Sequence, residues 1–123
     1  MIERQNDAID RVVLVISTFA DNDTARQFGT TVVESQLAAC VNVIPGATSI
    51  YRWKGKVEEE SEVVAIMKTT VAGLVELEAF LQKNHPYDEP ECIVLPIEAG
   101  SKGYLDWVRG GVRGQTKVDK PLT

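Results

Sequence analysis

The first apolar stretch of the chain is continuous rather than alternating: Arg11–Thr18 reads RVVLVIST. An unbroken β-branched run describes a strand covered on both faces, or nearly so. Ala20–Thr24 (ADNDT) follows with turn and N-cap side chains, whose oxygens accept the free N–H groups of a helix start. Ala25, Phe28 and Val32 then recur at helical spacing, a stripe that ends near Leu37. β-type composition returns over Leu37–Tyr51, interrupted by Pro45-Gly46, which predicts a strand with a bulge or bend at that point. Lys54-Gly55-Lys56 separates Ser49–Trp53 from Val57–Thr69 and predicts a hairpin turn, with Gly55 supplying positive φ. Glu58, Glu59, Glu60 and Glu62 sit at the base of that hairpin. Charge this dense reads as a solvated surface.

Thr69-Thr70 predicts the cap of a second helix with Leu74, Leu77, Phe80 and Leu81 on its buried stripe, closed by Asn84 and Pro86. Beyond HPYDEPE (His85–Glu91), the run Cys92–Glu98 is a fourth strand. Pro96 cannot donate a ladder bond, which places this strand at an edge or at a bulge. Ser101 caps a short helix, Tyr104–Arg109, and residues 110–123 read as a loose tail or as an arm that orders only against something else. The order β-α-β-β-α-β plus a short helix is α+β, a split βαβ: four antiparallel strands with both helices on one face. Tyr51, Trp53, Val63 and Ile93 suggest that the other face is not polar. An uncovered apolar sheet face predicts an oligomer.

Composition narrows the class. With 123 residues, 44% hydrophobic and 25% charged, the chain is expected to be one globular domain, 1–123. A net charge of −5 lacks the field for generic nucleic-acid or anionic-membrane binding. The apolar run after the charged start is too short for a signal-peptide core or a membrane span, so the expected location is cytoplasmic. Cys40 and Cys92 form no C-x-x-C and read as reduced, buried, Val-sized residues.

Phosphate-loop, dinucleotide, nucleophile-elbow and zinc-protease motifs are all missing. A single histidine, His85, rules out a His cluster within one subunit. His85 precedes a proline and leads into Tyr87, Asp88, Glu89 and Glu91. Imidazole with nearby carboxylates suits a divalent ion, Cu²⁺ above Zn²⁺, and the plainer alternative is a histidine bonded to the last carbonyls of its own helix. Trp53-Lys54-Gly55-Lys56 could stack a base or bind an anion, but a hairpin tip favours the same residues. Lys68, in an apolar strand, needs a partner, and Glu91 or Glu98 could supply it.

Several segments together carry a specific resemblance: ACVN, IPG, S-x-Y-x-W-x-G-K, NHPY-x-x-PE, YL-x-W and STFADNDTA. Their order and spacing resemble the CutA divalent-cation tolerance family over about residues 11–109. The resemblance implies a ferredoxin-like subunit in a tight homotrimer, with the long central hairpin reaching onto neighbouring copies. It implies a ligand pocket of Tyr51, Trp53, Lys68, Tyr87 and Glu91, and a possible copper site that retains His85. Where some members offer a Cys near the end of the first strand and a His pair, this sequence has Ser17 and Asn84-His85, poor ligands apart from the imidazole.

The function expected is a non-enzymatic homotrimer that binds a divalent metal ion or a small ligand and serves copper tolerance. The alternatives are a trimeric signalling module of the PII type, binding a nucleotide or small anion at subunit clefts, and a small enzyme with His85 as general base. The acidic hairpin base opposes the first of these, and the missing nucleophile opposes the second.

Overall fold

The structure is a computed structural model that describes residues 1–114. Its elements are β1 (Ile2–Arg4), β2 (Val12–Phe19), α1 (Asn22–Glu34), β3 (Cys40–Trp53), β4 (Lys56–Thr70), a 3₁₀ turn (Val71–Gly73), α2 (Leu74–Asn84), β5 (Ile93–Pro96), β6 (Ala99–Ser101) and α3 (Lys102–Gly110). The main sheet runs β3-β4-β2-β5, antiparallel throughout, with the Pro96-bearing strand at the edge. This is the ferredoxin-like split βαβ expected from the sequence. Of the loose tail expected over 110–123, residues 110–114 are held in place, with Val112 buried and the Arg113 N–H donating to the Gln36 carbonyl at 2.8 Å, because α3 delivers them onto the turn after α1; the remainder lies outside the described residues.

Asp21 caps α1, its Oδ1 accepting the Thr24 N–H at 2.8 Å. The helix stops at Glu34, short of Leu37, because Gln36 turns to φ 58° and Leu37 N–H returns to the Val32 carbonyl. Thr70 caps the 3₁₀ turn that leads into α2, its Oγ1 accepting the Gly73 N–H at 3.3 Å. Val15, Phe19, Ala65 and Met67 from the sheet meet Phe28 and Val32 of α1 and Leu77 and Leu81 of α2, all buried. Both helices therefore cover one face.

Val63 belongs to that core rather than to the open face expected for it, being 6% exposed. Strand alternation gives the reason: Val63, Ala65 and Met67 share one face, and Val64, Ile66 and Lys68 take the other. α3 covers one end of the open face, where Leu105 and Val108 pack on Val12. The middle is left bare, with Ile44, Ile93 and Leu95 exposed beside half-buried Ile16, Val64 and Ile66.

The first ten residues carry structure that the polar sequence does not announce. β1 pairs with β6 (Ile2↔Ser101, Arg4↔Ala99). The Gln5 amide bridges strands, accepting Val12 N–H at 2.7 Å and donating to the Val12 and Ile97 carbonyls. Cys40 and Cys92 are free and half-buried, more accessible than their apolar runs predict. Burial pushes the Cys92 thiol pKa up. Among the described residues no helix is long and apolar enough to cross a membrane.

Candidate functional site

The site begins at the bulge. Ile44 pairs with Val64 and Ala47 with Glu62, so Pro45-Gly46 inserts one extra residue into β3, with Gly46 at φ +87°. A one-residue insertion reverses strand parity. Before it Cys40, Asn42 and Ile44 point to the open face; after it Ala47, Ser49, Tyr51 and Trp53 do. Tyr51 thereby stands opposite Glu58, and Trp53 opposite Lys56. Lys54 (φ 50°) and Gly55 (φ 81°) close the hairpin with two left-handed residues, a twist that suits the flanking strands.

On β4 the same face carries Glu58, Glu60 and Glu62. With the loop after α2 they enclose a cavity of about 740 Å³, lined by Thr18, Tyr51, Trp53, Glu58, Glu60, Glu62, Tyr87, Asp88, Glu89 and Glu91. Among the described residues no lysine or arginine lines it. The Tyr51 hydroxyl donates to Glu60 Oε1 at 2.5 Å and the Tyr87 hydroxyl to Glu62 Oε2 at 2.9 Å. Both phenols are consequently harder to ionise. The Glu60 hydrogen bond, first among the causes, raises the Tyr51 pKa to about 12. Burial, then the bond to Glu62, pushes Tyr87 well above its ordinary value.

His85 anchors the loop that delivers Tyr87. Its ring is 7% exposed and stacks on Phe19, centroids 4.4 Å apart. Nδ1 accepts the Tyr87 backbone N–H at 3.0 Å, which makes Nε2 the protonated nitrogen of a neutral ring; Nε2 donates to the Thr18 carbonyl at 2.7 Å. The partner carbonyl lies on β2 rather than on the preceding helix. Asn84 is occupied as well, donating to the Phe80 carbonyl at 2.9 Å.

Four of the five pocket residues expected from the sequence therefore come together: Tyr51, Trp53, Tyr87 and Glu91. Lys68 does not. It lies at the far end of β4 under α3, donating to the Tyr104 hydroxyl at 3.0 Å with its ammonium 5.3 Å from that ring. The bond to Tyr104 raises its pKa. Neither Glu91 nor Glu98 is its partner, and Glu98 instead meets Arg4 at 3.5 Å. The antiparallel register explains this: Lys68 pairs across from Leu14 and Cys40, several residues along β4 from Glu62.

Among the described residues of a single subunit, no copper-ligand set comes together around His85. Ser17 is fully buried with its hydroxyl unpartnered, both nitrogens of His85 are engaged, and the described residues hold no group of three His, Cys, Asp or Glu side chains able to grip one ion. Glu58, Glu60 and Glu62, expected as solvated surface charge, line the basin instead. Their spacing of two along a strand opposite Tyr51 was the available signal, because it places all three on one face.

Fold and basin define the class: a ferredoxin-like α+β protein whose open sheet face ends in an acidic, aromatic-walled hollow. The family described as CutA1 divalent ion tolerance protein matches residues 13–110. The divalent-cation tolerance protein CutA of Salmonella newport is 41% identical over 112 residues, 91% of this chain and 97% of that protein. The divalent cation tolerance protein structure from Thermus thermophilus superposes with a TM-score of 0.80 at 42% identity, covering 82% of this chain and 98% of that one. CutA from Synechococcus elongatus, solved in complex with a Bis-Tris molecule, gives 0.81 at 36% identity, covering 91% and 100%. The chain belongs to the CutA1 divalent ion tolerance family.

Proposed function

We propose that this chain is a cytoplasmic, non-enzymatic homotrimer that supports divalent-cation tolerance by holding a metal ion or a small ligand at the basin around Tyr51, Trp53, Tyr87 and Glu91. The observation that carries the reading is the basin itself: carboxylates and aromatic faces converge with no cationic side chain among the described residues that line it. Such a lining favours a cation and gives a phosphate nothing to pair with, which weighs against the nucleotide-binding alternative. The bare apolar strip Ile44, Ile93 and Leu95 supports assembly through the open face. The engaged nitrogens of His85 fit a structural role and oppose that of a general base. They also shift the expected cation contact from imidazole to carboxylate.

The test combines growth and titration. Expression of the wild-type chain should restore growth of a copper-sensitive strain, and a Glu58→Gln/Glu62→Gln chain should restore it less. Copper calorimetry on wild type and His85→Ala should give weak binding in both. No rescue by the wild type overturns the tolerance role, and tight binding abolished by His85→Ala returns the metal to the imidazole.

A further inference from the structure

α3 rests on little of its own. It has nine residues, and helices that short are marginal without tertiary contacts. Leu105 and Val108 are its buried residues, and they meet Val12 in a small cluster apart from the main core. Ser101, at the N-cap, makes no side-chain capping bond. The Lys102 N–H donates instead to the Met1 carbonyl at 2.9 Å. At the other end of the helix Arg109 reaches back to the same segment. Its Nη1 and Nη2 donate to the two Glu3 carboxylate oxygens at 3.2 and 2.9 Å, and its Nε donates to the Asp10 carbonyl at 3.1 Å. β6, which leads into α3, pairs with β1 alone among the described residues. Residues 1–10 therefore hold the β6–α3 unit at both ends.

That segment is fastened to the rest of the fold by other groups. The Gln5 N–H donates to the Glu98 carbonyl at 2.9 Å, and the Ala72 N–H donates to the Ile9 carbonyl at 2.8 Å. Beyond α3 the chain is anchored independently. A Cβ on Gly111 would stand 2.7 Å from that of Ala39, Val112 is buried, and Arg113 meets Glu76 at 3.0 Å. Gly110 lies between the helix and this anchor.

We infer that residues 99–110 form a flap hinged at Gly110, and that residues 1–10 are the latch that keeps it shut on the open sheet face. The Arg109–Glu3 pair is the catch. Their side chains are 12% and 29% exposed, so salt reaches the pair and weakens it. Opening breaks the bond from Lys68 to the Tyr104 hydroxyl and uncovers Val12. Val12 then joins the bare strip of Ile44, Ile93 and Leu95, so the latch sets how far the apolar face extends.

Hydrogen exchange of the full chain, read segment by segment at low and high salt, tests the latch. In the wild type, exchange over 99–110 should be faster than in α1 and α2 and should rise with salt. Glu3→Gln should speed it about tenfold, a loss of roughly 1.4 kcal/mol. Glu3→Gln/Asp10→Asn should speed it further, because the Asp10 carboxylate also lies 3.8 Å from Arg109. Both variants should lose most of the salt response. Asp7→Asn removes one charge from the same segment but loosens only the bond to Arg11, and it should leave 99–110 as in the wild type. Unchanged exchange over 99–110 in the double variant, an equal rise across α1 and α2, a wild-type flap indifferent to salt, or the same effect from Asp7→Asn overturns the proposal.

Discussion

The Tyr87 hydroxyl donates to Glu62 Oε2 at 2.9 Å, joining residues 25 apart in sequence. This bond ties the loop after α2 to β4 and gives the basin its second wall. Tyr87→Phe keeps the ring and loses only the donor. It should cost about 1 kcal/mol, the usual net worth of a half-buried hydrogen bond. Denaturant unfolding checks this, and an unchanged midpoint would show that the loop holds without it.

Tyr51 makes an alkaline prediction. Its pKa is raised from 10.0 to about 12, first by the hydrogen bond to Glu60. A raised folded-state value means that the group's contribution is complete below pH 10 and fades as pH climbs through about 12. Absorbance titration at the phenolate band, compared with Tyr51→Phe, should show a late-ionising component that the variant lacks. A component titrating at the ordinary value would contradict the Tyr51–Glu60 bond.

Trp53 tests assembly. If the hairpin docks on a neighbouring copy, Trp53→Ala should weaken the oligomer by ~2–4 kcal/mol, as for a buried aromatic anchor. Light scattering should give three subunit masses for the wild type and a shift toward smaller species on dilution of the variant. One subunit mass for the wild type at micromolar concentration would reject the trimer, and an unaltered variant would leave the hairpin free of the interface.

Arg109 pins the N-terminal segment. Its side chain, 12% exposed, meets Glu3 at 2.9 Å, Asp106 at 2.8 Å and Asp10 at 3.8 Å, and it donates to Gln5 Oε1 at 3.1 Å. Arg109→Ala should cost about 2 kcal/mol, below the figure for a fully buried pair because Glu3 and Asp10 keep some water. Hydrogen exchange should then speed up across β1 and β6 before the main sheet. Uniform exchange over the whole chain would mean that the segment is not held by this residue.

The chain's local features were legible in its sequence because each rests on neighbouring residues. Asp21 caps α1, Lys54-Gly55 turns the hairpin, Pro45-Gly46 bulges β3, and Pro96 keeps β5 at an edge; each follows from the conformational preferences and hydrogen-bonding groups of a few adjacent residues. The motif order also carries the family. What the sequence could not settle depends on partners distant along the chain. Only the register of β4 against β2 sends Lys68 to Tyr104 instead of Glu91, and only the folded loop gives both nitrogens of His85 to backbone groups. The polar start becomes a strand because β6 and Arg109 are there to receive it. The glutamate row changes from surface charge to a wall of the basin when the one-residue bulge turns Tyr51 and Trp53 onto its face. Side-chain direction reverses with every residue of strand, so a single inserted position decides which groups meet.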